Sequence, residues 1–339
     1  MRSFKTPLLL TVLSLSIFVS GCSQHFLRDV AASSVVKASN KYVSPWFMAS
    51  SDTDVMCAMG EGMSGMVFPM GPNIDPMIPM VTLASGMCAD EKSKEAELRY
   101  IRAMRKGDAS EALDARVMQQ RWQNLAARRQ YTGYQAIVRY FGEPGGECPR
   151  FETDDQELSY LFGLLNGIQG FQADFASGGV AGIPADTMPK ALKGLRCLNS
   201  AKYWGVPEAV DALVAIMMAG IGDDKEQLNI AYARLDRASA EGKSQGVRMV
   251  QLLEAILYSS QGNITKAKAV IRDHAESKRQ VPANPKLKLL DEMATRGIQL
   301  VSDKLWTQNT GQRTPYNSLG KFWDDSPVSN AALDIDDLL

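Results

Sequence analysis

The sequence predicts an all-α protein in which short helices pack in pairs. Two long stretches, 80–142 and 208–281, contain no internal proline and are rich in Ala, Leu, Met, Arg, Gln and Glu. These residues lose little side-chain freedom in a helix. Segments in which Val, Ile or Thr alternate with polar residues are almost absent, so strands are not expected. Because glycine and proline recur at intervals that suit short helices, we expect helical hairpins stacked into a solenoid or bundle.

The chain begins with a segment typical of a secretion signal. Arg2 and Lys5 precede an apolar run that ends at residue 19 and is too short to span a membrane. Small residues then lead to Cys22 in the order Val-Ser-Gly-Cys, which resembles the lipobox of bacterial lipoproteins. The resemblance implies cleavage before Cys22 and acylation of that cysteine. Because Ser23 follows, it also implies attachment to the periplasmic side of the outer membrane. The alternative is an ordinary signal peptide that contains a cysteine.

The expected organisation has four parts. They are a signal peptide over 1–21, a lipid tether and first helix over 22–50, a helical-repeat domain over 51–305 and an extended tail over 306–339. The tail is expected either to wrap the bundle or to stay mobile. The formal net charge of the chain is −1, with both signs interspersed, so nothing favours binding to nucleic acid. No second apolar run is long enough to span a membrane, so a soluble body held by a lipid is expected.

The helices are expected at positions set by capping residues, glycines and prolines. After a first helix over 30–42, side-chain oxygens at 51–54 begin a helix that ends before Pro69. Pro76 opens another helix, a third ends at Gly107, and a fourth begins at Ala109. A loop is expected at 142–146. Later helices are expected over 156–175, 186–203, 207–220, 225–241, 246–260, 264–278 and 284–304.

One helix pair, over 248–277, resembles a tetratricopeptide repeat. Ala255 and Tyr258 stand on the first helix, Gly262 in the turn, and Ala267 and Ile271 on the second helix, at the spacings of that repeat. Small residues let the two helices approach closely, and glycine suits a left-handed turn. A weaker copy falls within 215–238. The alternative is an amphipathic hairpin of no particular repeat family.

The order of these features resembles one family, the T component of TRAP transporters, over roughly residues 22–306. The lipobox, the acidic segment SSDTDVM, the Ala- and Arg-rich segment EAELRYIRAMRKGDASEALDAR and the closing NPKLKLLDEMATRGIQLVSDKLW carry the resemblance. The resemblance implies a helical bundle with an apolar cavity or pore and an apolar small solute. It also implies a periplasmic substrate-binding protein as partner, and homo-oligomerisation. The methionine-rich first hairpin, four extra cysteines and the tail depart from the family pattern.

Nine of the 17 methionines lie between Met48 and Met87. Four of them recur at helical spacing in the first arm of the predicted hairpin, and others follow in the second arm. Three interpretations remain open: a core packed with thioethers, an adaptable apolar lining for a ligand or partner, and capture of Cu(I). Two aromatic residues on the middle helix join the candidates for a cavity lining. The candidates are Met56, Met59, Met63, Met66, Met80, Met87, Tyr160 and Phe171.

Four cysteines remain beside Cys22, an even number that suits two disulfides in an oxidising compartment. Three connectivities are open. Cys57 and Cys88 lie in the two arms of the first hairpin, where a bond would clamp the arms together. Cys148 would then reach Cys197. Free buried thiols are the alternative, and the spacing is unsuited to zinc.

Catalytic residues are not expected in this chain. It has two histidines, His25 near the tether and His274 on a late helix, and neither lies in a motif for nucleophilic catalysis. No glycine-rich phosphate loop follows a strand, and no cofactor or metal is expected. Besides a TRAP-type auxiliary protein, two other functions remain open. One is an envelope-assembly scaffold that binds protein partners, and the other is a methionine-based copper protein.

Overall fold

The computed structural model describes residues 26–222 and 224–325, and there it consists of helices and their connections without strands. The predicted all-α fold is confirmed. Cys22 and the signal segment lie outside the described residues. In the described part eleven helices pack against one another. They are α1 over 26–48 (with a π-helical turn Ser39–Val43), α2 Thr53–Val67, α3 Ile78–Lys106, α4 Ala109–Phe141, α5 Asp154–Ser177, α6 Thr187–Leu195, α7 Val206–Gly222, α8 Lys225–Ser244, α9 Met249–Ser260, α10 Ile264–Gln280 and α11 Lys288–Thr310.

Several helix starts are fixed by side-chain caps, among them the one expected at 51–54. Asp52 accepts hydrogen bonds from two backbone N–H groups of the first turn of α2, each at 3.0 Å. Thr153 caps α5, and Asp224 caps α8 by accepting a hydrogen bond from the Gln227 N–H at 3.0 Å. Each cap satisfies an N–H group that has no partner within its own helix.

Three predicted boundaries differ from the structure. The two helices predicted between Pro76 and Gly107 are one 29-residue helix, α3. No proline interrupts the residues between them, and packing along the whole length keeps the helix continuous. The helix predicted over 186–203 ends at Leu195, and the following turns carry Cys197 towards Cys148. The last helix, α11, runs on to Thr310, beyond the predicted start of the tail.

Helices α3, α4 and α5 approach one another closely because small residues lie at their contacts. A Cβ placed on Gly163 of α5 would lie 2.2 Å from the Ile137 Cγ2 atom of α4, and one on Gly167 would lie 2.5 Å from the ring of Tyr134. Such distances are far inside van der Waals contact, so glycine is required for this packing. The neighbour that uses the space beside these glycines is α4.

The last helix returns to the first half of the chain and packs against α3. Lys304 Nζ lies 2.8 Å from Glu97 Oε1, and Arg296 pairs with Glu91. Apolar side chains of α11, including Leu305 and Ile298, are buried beside these ion pairs. The last helix is therefore held against α3, about 200 residues earlier in the sequence.

Residues 311–325 follow α11 and lie against α10. Phe322 is buried, and the rings of Trp306 and Trp323 meet edge to face at 5.6 Å. Lys268 Nζ of α10 lies 2.6 Å from Asp324 and 4.2 Å from the Trp323 ring centroid. This part of the tail wraps the bundle, one of the two expected outcomes.

Both pairs of cysteines considered from the sequence lie at bonding distance. The sulfurs of Cys57 and Cys88 are 2.06 Å apart, and this bond joins α2 to α3. The sulfurs of Cys148 and Cys197 are 2.10 Å apart, and this bond joins the loop after α4 to the turns after α6. The first bond clamps the methionine-rich hairpin as predicted.

Candidate binding groove

The methionine-rich hairpin is packed closely. Met59 and Met63 of α2 and Met80 of α3 border a crevice of about 10 Å³, together with Phe47 of α1. That volume admits about one water molecule. Met56 is 4% exposed and belongs to the main core. The crevice is therefore a packing gap between thioethers, too small for an organic solute.

The other candidate lining residues lie apart from this crevice. Met66 is 74% exposed, so it does not share the buried side of α2 with Met56, although helical spacing predicts a common face. It stands in the last turn of α2, where the tertiary packing leaves it uncovered. Met87 packs against the core from α3. Tyr160 is buried against Phe141, with ring centroids 5.3 Å apart, and burial raises its pKa to about 12. Phe171 is half-buried further along α5.

A larger concavity of about 300 Å³ opens between α8 and α10, and α9 forms its floor. Unlike the methionine crevice, it is open to solvent and carries several charged groups. We call it the polar groove. Its lining residues are Asp236, Ser239, Ala240 and Lys243 of α8, Glu254 of α9, and Ala269, Val270 and Asp273 of α10.

Glu254 is the most deeply placed polar group of the groove, with 6% of its surface exposed. Its Oε2 atom accepts a hydrogen bond from the Ser239 hydroxyl at 2.7 Å. Burial raises the pKa of Glu254 to about 7, and the charges of Asp236 and Asp273 act in the same direction. The Ser239 hydrogen bond opposes this rise only in part. A carboxyl in such a place gains or loses its proton near neutral pH and is stabilised as an anion by a bound cation.

A chain of hydrogen bonds leads from the groove into the protein. Lys243 Nζ of α8 lies 3.1 Å from Asp273 Oδ2 of α10, across the groove. Gln251 Nε2 donates to the same Oδ2 atom at 2.7 Å, and the His274 Nδ1 atom donates to Gln251 Oε1 at 2.9 Å. The Nε2 atom of His274 lies 3.1 Å from the Thr295 hydroxyl of α11. The groove wall is thus tied to α11 and is held rigid.

His274 is a structural residue in this arrangement. Its side chain is fully buried, and burial lowers its pKa to about 3, with smaller contributions from the charges of Lys278 and Arg248. It is therefore neutral at physiological pH and, since both ring nitrogens are engaged, offers no free base. His25 lies outside the described residues.

The sequence does not predict the polar groove, because its residues come from three helices. One signal was available. Glu254 is the lone charged residue of the ten-residue apolar stretch 249–258, and it directly precedes Ala255, which was predicted to lie at the contact with the next helix. A carboxylate next to a predicted contact position has to be buried or to face a groove. Asp236, Lys243 and Asp273 follow ordinary helical spacing on exposed faces and carry no comparable signal.

Within the described ranges, no helix is both long and apolar enough to cross a membrane. No three His, Cys, Asp or Glu side chains of that same part are grouped so that they could hold a metal ion.

Comparisons of the chain with protein-family models, with curated proteins and with solved structures find no match.

Proposed function

We propose that this chain is a lipid-anchored helical-hairpin protein of the bacterial periplasm that holds a protein partner in the polar groove. The observation that carries the proposal is the groove itself, a rigid, open concavity with a nearly buried carboxyl at its floor. Among the residues that the structure describes, no cation lies within ion-pair distance of Asp236 or Glu254, while Asp273 is neutralised by Lys243. A partner segment with a Lys or Arg side chain suits this arrangement of charges.

The periplasmic address is supported by two independent features. Cys22 stands in a lipobox-like sequence at the end of an apolar leader. The four remaining cysteines form two pairs at bonding distance, and disulfides persist in oxidising compartments such as the periplasm. The helix pair α9–α10 supports a tetratricopeptide-like repeat, since Ala255, Ala267 and Ile271 are all 0% exposed at its contact.

Transport of an apolar solute is not part of this proposal. That role, implied by the resemblance to the TRAP T component, calls for an apolar cavity. In the described residues the candidate lining side chains instead pack into the core or face outward. A substrate-binding protein of a TRAP-type transporter remains one candidate for the protein partner, and an envelope-assembly protein is the other.

Site-specific photo-cross-linking in living cells tests the proposal. A benzophenone amino acid is placed at Ala240 on α8 or at Ala269 on α10, two exposed positions on opposite walls of the groove. The matched control is Ala109, which is exposed at the start of α4. We expect the same protein adduct from both groove positions and none from the control. We also expect Asp236→Lys to weaken it strongly.

The identity of the adduct then decides between the two partners. A periplasmic substrate-binding protein supports the TRAP-type role, and an outer-membrane assembly protein supports the scaffold. Equal labelling from Ala109, or an adduct insensitive to Asp236→Lys, would show that the groove is not the binding surface. The mass of the N-terminal peptide tests the anchor separately, since an acylated Cys22 is required.

A further inference from the structure

The outward face of α1 is apolar and basic. Leu27, Val30, Tyr42 and Trp46 are between 47% and 65% exposed along this helix. Phe26 is 67% exposed at its start. These side chains form two groups, one at each end of α1, and large apolar side chains exposed together on one helix are typical of a surface that contacts something else.

The opposite face of α1 is already occupied, so this outward face is a separate surface. Ala32 is fully buried and Ser39 nearly so. Val35 and Val36 pack with Val67 of α2 and Val81 of α3. The helix is therefore amphipathic, with its inner side fixed on the first hairpin and its outer side without a partner among the described residues.

The charges on α1 are mostly positive. Arg28, Lys37 and Lys41 lie on the helix, and Asp29, the lone acidic residue between 26 and 48, lies 3.5 Å from Arg28. Lys37 and Lys41 are exposed among the apolar residues, and the Lys41 Nζ atom lies 5.1 Å from the Tyr42 ring centroid. Tyrosine, tryptophan and lysine are the residues that favour the boundary between lipid headgroups and water.

We propose that this outward face of α1 lies in the headgroup layer of the membrane that holds the lipid anchor. The inference rests on the anchor at Cys22 in the proposed function. Cys22 precedes Phe26 by four residues, so an extended chain between them reaches at most about 14 Å. An acylated Cys22 therefore holds the start of α1 near the bilayer surface, whatever the path of the residues between them.

A second contact lies at the same end of α1. The guanidinium of Arg28 lies against Gly71, so the turn between α2 and α3 is close to the start of the helix. Phe68 in that turn is 42% exposed. In this proposal the turn contacts the membrane together with the outward face of α1. The lysines of α1 lie next to anionic headgroups, and the aromatic rings lie in the boundary layer between headgroups and water.

Electron paramagnetic resonance on the full acylated chain tests the proposal in vesicles of phosphatidylethanolamine and phosphatidylglycerol. Nitroxide labels are placed at Ala31→Cys and Ala38→Cys, which are exposed on the outward face of α1, and at Ala109→Cys as an exposed control on α4. Collisions with oxygen report contact with lipid, and collisions with a water-soluble nickel chelate report contact with solvent. At both α1 positions we expect collisions with nickel to be roughly fivefold rarer than at the control, with oxygen collisions maintained or increased.

The two collision rates distinguish the outcomes. Low accessibility to both reagents at Ala31 and Ala38 would show that protein, such as a second copy, covers the face, and would overturn the proposal. High accessibility to nickel, equal to that of Ala109, would overturn it as well. Mass spectrometry of the same sample reports whether Cys22 is acylated. If Cys22 is acylated and the labels are still exposed to solvent, only the membrane contact of α1 is wrong. If the acyl group is missing, the proposed anchor itself is wrong.

Discussion

The guanidinium of Arg248 and the carboxylate of Asp291 form an ion pair in which neither side chain is exposed, with Nη1 2.8 Å from Oδ2. The pair joins the start of α9 to α11. The Arg248 backbone N–H also donates to Asp291, and its Nε donates to the Ser277 hydroxyl at 2.8 Å. Since every group is hydrogen-bonded, the desolvation of the two charges is offset.

Removing one partner of this pair is expected to destabilise the protein severely. Asp291→Ala leaves a buried, unpaired guanidinium, so the free energy of unfolding should fall by about 3–5 kcal/mol. Urea denaturation followed by circular dichroism measures the change. The control is Arg296→Ala, which breaks an ion pair with a half-exposed arginine and should cost less than about 1 kcal/mol. Similar losses in the two variants would contradict a special role for the buried pair.

The bond between Cys57 and Cys88 should stabilise the first hairpin. Its two cysteines are 31 residues apart, and closing such a loop restricts the unfolded chain. Cys57→Ser combined with Cys88→Ser is expected to lower the free energy of unfolding by about 2–4 kcal/mol. Cys148→Ser with Cys197→Ser, which opens the other bond, serves for comparison. Dithiothreitol should lower the stability of the wild-type protein. It should leave unchanged a variant in which all four of these cysteines are replaced by serine. A wild-type melting temperature insensitive to the reductant would contradict this prediction.

Glu254 should make the folded state less stable at alkaline pH. Its pKa in the folded protein is about 7, above the value of 4.5 for a free side chain, so the folded state binds more protons between these values. The stabilising contribution is full below pH 4.5 and is lost as the pH rises through 7. Between pH 5 and pH 8, the ionisation of Glu254 should lower the free energy of unfolding by up to about 3 kcal/mol.

Glu254→Gln should remove this pH dependence, because the amide keeps the shape of the side chain and does not ionise. Urea denaturation at pH 5 and pH 8 measures it in both proteins. Glu147→Gln, at an exposed loop position, is the control and should leave the wild-type pH dependence intact. A difference between pH 5 and pH 8 that persists in Glu254→Gln would show that another group is responsible.

His274 should have the opposite effect on stability, making the folded state less stable at acidic pH. Its pKa in the folded protein is about 3, below the 6.5 of a free histidine, so the unfolded state binds more protons between these values. The contribution of the neutral ring is present above pH 6.5 and is lost as the pH falls towards 3. Nuclear magnetic resonance should show a neutral His274 ring at pH 5, with the proton on Nδ1. A cationic ring at that pH would contradict the burial of this group.

Gly163→Ala should destabilise the bundle although alanine is the better helix former. The new Cβ would meet Ile137 at 2.2 Å, and such overpacking costs about 1–3 kcal/mol. Gly65→Ala on α2 is the matched control. It has open space around it, so it should stabilise the protein by about 0.5–1 kcal/mol. Adding Ile137→Ala to Gly163→Ala should relieve the contact. A Gly163→Ala variant as stable as the control would show that α4 and α5 can move apart freely.

The sequence by itself determined which segments are helical and where many of them begin. Helix-forming residues and capping oxygens act within one or two turns, so Asp52, Thr153 and Asp224 mark their helix starts without any knowledge of the fold. The pairing of Cys57 with Cys88 could also be proposed from the sequence, because the two cysteines lie on the two arms of one predicted hairpin.

Only the tertiary structure decided which faces meet. Met66 points outward although its spacing matches that of Met56, and one continuous α3 replaces two predicted helices, because long-range packing outweighs local patterns. The polar groove brings together Asp236, Glu254 and Asp273 from three helices, an arrangement set by how those helices cross. Side chains separated in sequence become one site only when the crossing angles and distances of their helices are fixed, and these depend on the whole core.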